Sequence, residues 1–209
     1  MGERFADYDV LAARDTLSWN AKTREVIAAR LALQVPEGAL SPTRLATLST
    51  LVQRVCPDPS GRAPTTTLAM VVHKIADDIR DGQRHHLLPG TRECWERGLD
   101  AVNAEARARH GKAFAALAGE EADGVLHAVS QGDVRAAEWD SLPPKLFWTW
   151  RVLADCLAAH WAQPSLWSAM GFGGPAAPRG YVRTGIDRRD PWEAIEAGEP
   201  LRGLPKHRA

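Results

Sequence analysis

Apolar residues recur three and four positions apart along most of this chain, and the runs stop at prolines or glycines. That spacing lines one face of an α-helix, whereas a strand needs alternation. The clearest run is Leu45, Leu48, Leu51, Val52 and Val55. Ser41 precedes it as an N-cap and Pro42 takes the first helical position, where its missing N–H costs nothing. Pro57, Pro59 and Gly61 close it. The same logic predicts helices over about 21–34, capped by Asn20, and from Pro64 to Asp81-Gly82, with Leu68, Val71, Val72, Ile75 and Ile79 on one stripe. Further helices are expected over about 91–110, with Trp95, Leu99, Val102 and Ala106 on one side and Glu96, Arg97, Glu105 and Arg109 on the solvated side, and over about 120–130 and 144–162, with short turns around Phe114 and over about 164–170. No stretch alternates as a strand does, and no fixed-period repeat is present. The expected fold is therefore all-α: a compact bundle of about six helices with an irregular Gly/Pro/Arg-rich C-terminal segment. The expected division is an N-terminal arm (1–20), a helical domain (21–170) and a C-terminal docking segment (171–209).

Charge narrows the function classes. The 26 Lys and Arg balance 26 Asp and Glu, which argues against a nucleic-acid binder, since such proteins carry a basic surplus to displace counterions. No apolar stretch is long enough to span a bilayer. Charges interrupt the first thirty residues, so no secretory or twin-arginine leader is expected, and a cytoplasmic location follows as the expectation. Cys56, Cys94 and Cys156 are odd in number and show no C-x-x-C spacing. Reduced thiols are expected, not a disulfide framework or a zinc site.

Catalytic constellations are thin. His73 and Asp77 share a helix face at i, i+4 and could hold a metal together; an ordinary helix-surface ion pair is the simpler reading. His85 and His86 form a loop pair, and adjacent residues rarely converge on one ion. Gly171-Phe172-Gly173-Gly174 lacks the preceding strand and following helix of a phosphate loop. Asp155 and His160 are five apart on the last long helix and are expected on different faces. Phe147, Trp150, Leu153, Ala154, Leu157 and Trp161 are expected to form its buried stripe.

Tryptophan is abundant, with eight in the chain, five of them between Trp139 and Trp167. Trp148 and Trp150 stand about 200° apart around a helix, so one is expected to leave the core for the C-terminal segment or another protein.

The run Phe147-Trp148-Thr149-Trp150, then His160-Trp161-Ala162-Gln163-Pro164, Gly171-Phe172-Gly173-Gly174-Pro175, Pro178-Arg179-Gly180-Tyr181-Val182-Arg183 and Asp190-Pro191-Trp192 resembles the gluconate 2-dehydrogenase subunit 3 family. Gly98-Leu99-Asp100-Ala101 and Phe114-Ala115-Ala116-Leu117 resemble its middle section, and Phe5 to Asn20 the start of its leaderless members. The resemblance implies a non-catalytic small subunit with no cofactor of its own. It implies a large glucose–methanol–choline type partner holding FAD and oxidising sugars, sugar acids or polyols, in some complexes joined by a haem c subunit. No nucleic acid and no membrane insertion are implied. The candidate interface is Trp148, Trp161, Gly171, Phe172, Gly173, Gly174, Pro175, Arg179, Gly180, Tyr181 and Arg183. In it Phe172 and Tyr181 would anchor the partner, Arg179 and Arg183 would fork onto its carboxylates, and the glycines would allow close backbone approach. The alternatives are a stand-alone helical binding or regulatory module and a metal-assisted enzyme.

Overall fold

The structure is a computed structural model that describes residues 4–83, 85–180 and 190–196. Its fold class is all-α, with no β-strand among the described residues. The α-helices are α1 (Ala21–Leu31), α2 (Pro42–Val55), α3 (Thr67–Ala76), α4 (Thr91–His110), α5 (Gly119–Gln131), α6 (Pro144–Phe147), α7 (Ala154–His160) and α8 (Pro164–Ala169). A π-helical stretch, Trp148–Leu153, joins α6 to α7. Short 3-10 turns form at Val10–Asp15, Phe114–Ala116 and Ala137–Ser141. No helix among the described residues is long and apolar enough to cross a membrane.

The chain gathers into two units. Unit 1 comprises Met1–Ala32, Pro59–Thr65 and Trp161–Ala209; unit 2 comprises Leu33–Asp58 and Thr66–His160. The boundaries expected after residues 20 and 170 both fall inside unit 1.

Unit 2 is a helical bundle in which α4 packs against α2, α3, α5 and the α6–π stretch. Cys94, Trp95, Leu99, Val102 and Ala106 of α4 are fully buried. Trp95 meets Phe147 edge-on, with centroids 5.5 Å apart, the arrangement that ring quadrupoles favour. Phe147 lies so close to α4 that a Cβ on Gly98 would stand 2.1 Å from its ring. Glu105 is also fully buried. It accepts the backbone N–H groups of Arg135 (2.8 Å) and Ala136 (2.9 Å) and pairs with Arg109 at 2.6 Å. Burial alone would push its pKa up, but these donors outweigh burial and hold it below the ordinary glutamate value.

Two expectations about unit 2 need correction. The third helix stops at Ala76, five residues before Asp81. Asp78 adopts φ +46°, Ile79 N–H reaches back to Lys74 O and Asp78 N–H to Ile75 O. This is the double closure that usually needs a glycine; here an aspartate does it, and Ile79 is left half-exposed. The second correction concerns the last long helix. Its buried face is Phe147, Arg151, Val152, Asp155, Cys156, Ala159 and His160, while Ala154, Leu157 and Trp161 are exposed. Asp155 and His160 are both buried against different neighbours, Asp155 bonding Trp95 and Lys74 and His160 lying 3.4 Å from Thr67 Oγ1. The cause is that α3, α4 and α5 touch this helical stretch from several sides. For the same reason neither Trp148 nor Trp150 leaves the core: both are half-buried against it.

Unit 1 has its own small core of Val10, Ala13, Trp19, Ile27 and Trp167. The arm is therefore packed on its own unit. Asn20 caps α1 by accepting from Thr23 N–H at 2.8 Å. Helix α1 ends at Leu31, short of the expected Gln34, and buries only Ile27.

Candidate interaction surface around the aromatic–glycine segment

The segment after α8 is shaped by its glycines. Gly171 takes φ +70°, Phe172 N–H bonds to Trp167 O at 2.8 Å and Gly171 N–H to Ser168 O at 3.2 Å. That pair of bonds ends α8 and turns the chain sharply. A Cβ on Gly171 would come within 2.6 Å of the Phe5 ring. Gly174, buried and at φ +68°, would place a Cβ 2.9 Å from Val10 and 3.3 Å from Trp167. The close approach allowed by Gly171 and Gly174 is thus made to the chain's own arm. Gly173 and Pro175 lie half-buried between and after them.

The arm is tied from the other side. Arg62 donates to Tyr8 O at 2.8 Å and to Phe5 O at 2.7 Å. Val10 N–H donates to the buried Ser168 Oγ at 3.0 Å. Trp19 forms an isolated parallel bridge with Ala177, and Asn20 N–H donates to Ala177 O at 2.9 Å.

With its backbone held inward, the segment shows aromatic side chains outward. Phe172 is 45% exposed and stands edge-on to Trp167, centroids 6.0 Å apart. Trp161 is 51% exposed, and its carbonyl accepts the Trp167 Nε1–H at 2.6 Å. Met170, which sequence reasoning did not single out, is 46% exposed. Its signal was available: it is the last residue before the Gly171 turn, where the next backbone must leave the helix.

The remaining candidates fall out as follows. Arg179 is engaged within its own unit: it forms a forked pair with Asp190, one arm at 2.8 Å, and lies over the Trp192 ring at 5.5 Å. The Asp190 carboxylate raises its pKa further. Gly180 takes φ +73° and donates to Ala176 O at 2.7 Å. Trp148 lies in unit 2 and is half-buried there. Tyr181 and Arg183 lie outside the described residues.

The residues weighed for metal chemistry do not converge. His73 Nε2 lies 3.1 Å from Gln34 O, and Asp77 sits at the C-cap of α3. His85 and His86 stack on each other at 4.7 Å. Among the described residues no group of three His, Cys, Asp or Glu has metal-binding geometry. All three thiols are buried. Burial pushes Cys56 and Cys94 to about 11 and Cys156 well above the ordinary thiol value, so none is an activated nucleophile.

Sequence reasoning missed a buried ion cluster in unit 2. Asp155 accepts from Trp95 Nε1 and from Lys74, each at 2.7 Å, and from Arg151 at 3.3 Å. Asp81 pairs with the same Lys74 and, at 2.6 Å, with the same Arg151. The i, i+4 pairing of Arg151 with Asp155 was legible, but a search for apolar stripes passes over it.

No curated protein and no solved structure matches the chain. The sequence profile of gluconate 2-dehydrogenase subunit 3 matches residues 42–174, from the first residue of α2 to the last glycine of the aromatic–glycine turn. The match takes in Phe172 and the middle-section residues, and leaves outside it the arm and the Pro178–Trp192 stretch. A helical body and a glycine-built turn with displayed aromatics thus coincide with a profile spanning more than half of the chain: it belongs to the gluconate 2-dehydrogenase subunit 3 family.

Proposed function

We propose that this chain is a non-catalytic small subunit that binds a large FAD-containing dehydrogenase and stabilises or matures it. Family membership supports an accessory subunit. The observation that carries the docking surface is the exposed set Trp161, Met170 and Phe172 on a turn whose backbone is braced by Gly171, Gly174 and Arg62. Rigid aromatics displayed this way lose little entropy on binding and supply the large desolvated contacts that dominate interfaces. In this reading FAD and the chemistry of sugar, sugar-acid or polyol oxidation reside in the partner. A haem c subunit, where one exists, extends electron transfer beyond it.

The test is co-expression of the tagged chain with large glucose–methanol–choline type flavoproteins of its host, read by stoichiometric co-purification, flavin absorbance and dye-linked dehydrogenase activity. The Trp161→Ala, Phe172→Ala double variant should keep its helical circular dichroism and lose affinity about 30-fold or more, as removal of a hot spot does. Undiminished binding by a folded double variant would remove this surface from the proposal. A colourless, monomeric chain with the flavoprotein present would remove the accessory role itself.

A further inference from the structure

A cleft of about 680 Å³ opens in unit 2, lined by Asp78, Asp81, Thr91, Arg92, Glu96 and Arg151 among others. Asp81 and Arg151 belong to the ion cluster described above, in which Lys74 and Arg151 are shared by two carboxylates. The sharing is symmetric. Asp155 sets Oδ1 on Lys74 and Oδ2 on Arg151, and Asp81 does the same. The two carboxylates differ in how firmly they are held. The Asp155 side chain is 1% exposed and takes a third bond from the Trp95 indole. The Asp81 side chain is 37% exposed, lies beyond the end of α3, and precedes Gly82 at φ +73°. Lys74 and Arg151 are largely buried cations. Asp155 cancels one of their two charges, and the other must be met by a carboxylate on the cleft side, since an uncompensated buried charge is expensive.

We propose that the position taken by Asp81 is a masked carboxylate site: a small carboxylate entering by the cleft replaces Asp81 and bridges Lys74 and Arg151. The site asks for two adjacent acceptor oxygens, one per cation, which a carboxylate supplies. Burial opposes charge on Asp81, yet Lys74 and Arg151 outweigh it and keep Asp81 ionised below its ordinary pKa. Asp81 is therefore a standing competitor for the site, and the apparent affinity of the native chain is reduced by the fraction of time it is seated. This inference rests on unit 2 alone and does not depend on the docking surface around Phe172.

The experiment follows the Trp95 indole N–H by NMR, because that group bonds to Asp155 inside the cluster. Succinate is titrated at constant ionic strength against chloride, with inorganic phosphate as a second probe. A saturable shift with succinate is expected in the native chain, tightened about tenfold or more in Asp81→Asn as the competitor is removed. It should be abolished in Lys74→Met, Asp81→Asn, a variant that keeps the Arg151–Asp155 pair and so keeps the fold. A linear, chloride-like response in both native and Asp81→Asn protein would overturn the proposal, leaving Asp81 as a brace. Saturation confined to the variant would also overturn it, since the substitution would then have created the site. Tighter binding of phosphate than of succinate would overturn the carboxylate assignment.

Discussion

Gly98 shows how one missing methyl group sets the spacing of a core. It faces the Phe147 ring at a distance no Cβ could share. Gly98→Ala therefore sets two effects against each other. Alanine gains about 1 kcal/mol of helix propensity, and overpacking costs about 1–3 kcal/mol, with the 2.1 Å approach at the costly end. The clash wins, so urea unfolding should show a lower midpoint for Gly98→Ala. Adding Phe147→Leu should recover part of the loss relative to Phe147→Leu alone, because the two sites are in contact and their effects are coupled. Residue identity was a good guide wherever one residue type does one job. Asn20 at the start of α1, Ser41-Pro42 at the start of α2 and Gly111 after α4 stand where their chemistry places them. It misled where a residue does another's work. Asp78 takes the left-handed turn expected of glycine, and its Oδ1 accepts Arg92 N–H at 3.0 Å near the start of α4. A lone sequence gives no sign of that second bond, which comes from fourteen residues away.

At the scale of elements, helix existence was legible and helix orientation was not. The apolar stripe of α2 corresponds to its buried face. The expected stripe of α4 (Trp95, Leu99, Val102 and Ala106) is buried, but Glu105, expected on the solvated side of α4, is fully buried as well, because α4 is packed by several neighbours. The stretch from α6 to α7 is touched by α3, α4 and α5, so its buried face admits Arg151, Asp155 and His160 as long as they are paired. Apolar periodicity has no term for such residues. Glu105 is the corresponding case on α4, where it holds the connection after α5 by bonding Arg135 and Ala136. Its folded pKa is depressed, so it contributes stability that is complete above the ordinary glutamate value of about 4.3 and is lost as pH falls through its lower folded value. Thermal midpoints should therefore drop below about pH 4.3. Glu105→Gln should cost about 3 kcal/mol at neutral pH, as breaking a buried pair does. It should also flatten part of the acid limb, checked by melting curves across pH 2.5–7, roughly the range over which carboxylates titrate.

At the scale of the molecule, the candidate surface was partly legible. The aromatic–glycine segment was found from its residue types, and Trp161 and Phe172 within the candidate surface are exposed. The inward use of Gly171 and Gly174 was not legible, because it depends on Phe5 and Val10, more than 160 residues earlier. Removal of residues 1–20 takes Val10, Ala13 and Trp19 out of the core of unit 1. Each large apolar side chain lost from such a core forfeits about 1.5–3 kcal/mol. The truncated chain should keep most of its far-ultraviolet helix signal from unit 2. Limited proteolysis with mass spectrometry should then show new cleavages between 161 and 180; an unchanged fragment pattern would mean the arm braces nothing.

Unit 1 draws on three separated stretches of chain, and its Trp19–Ala177 bridge joins a residue of the first stretch to one of the last, with the whole of unit 2 made between them. Translation therefore imposes an order. The helices of unit 2 can collapse while the chain is still emerging, but the arm must wait for α8 and the turn that follows it. The displayed aromatics thus acquire their braced form only once the chain has been made past Ala177, and a shorter nascent chain carries them without that brace. In the accessory role proposed above, recognition at this surface would act as a form of proofreading that admits only chains translated past Ala177.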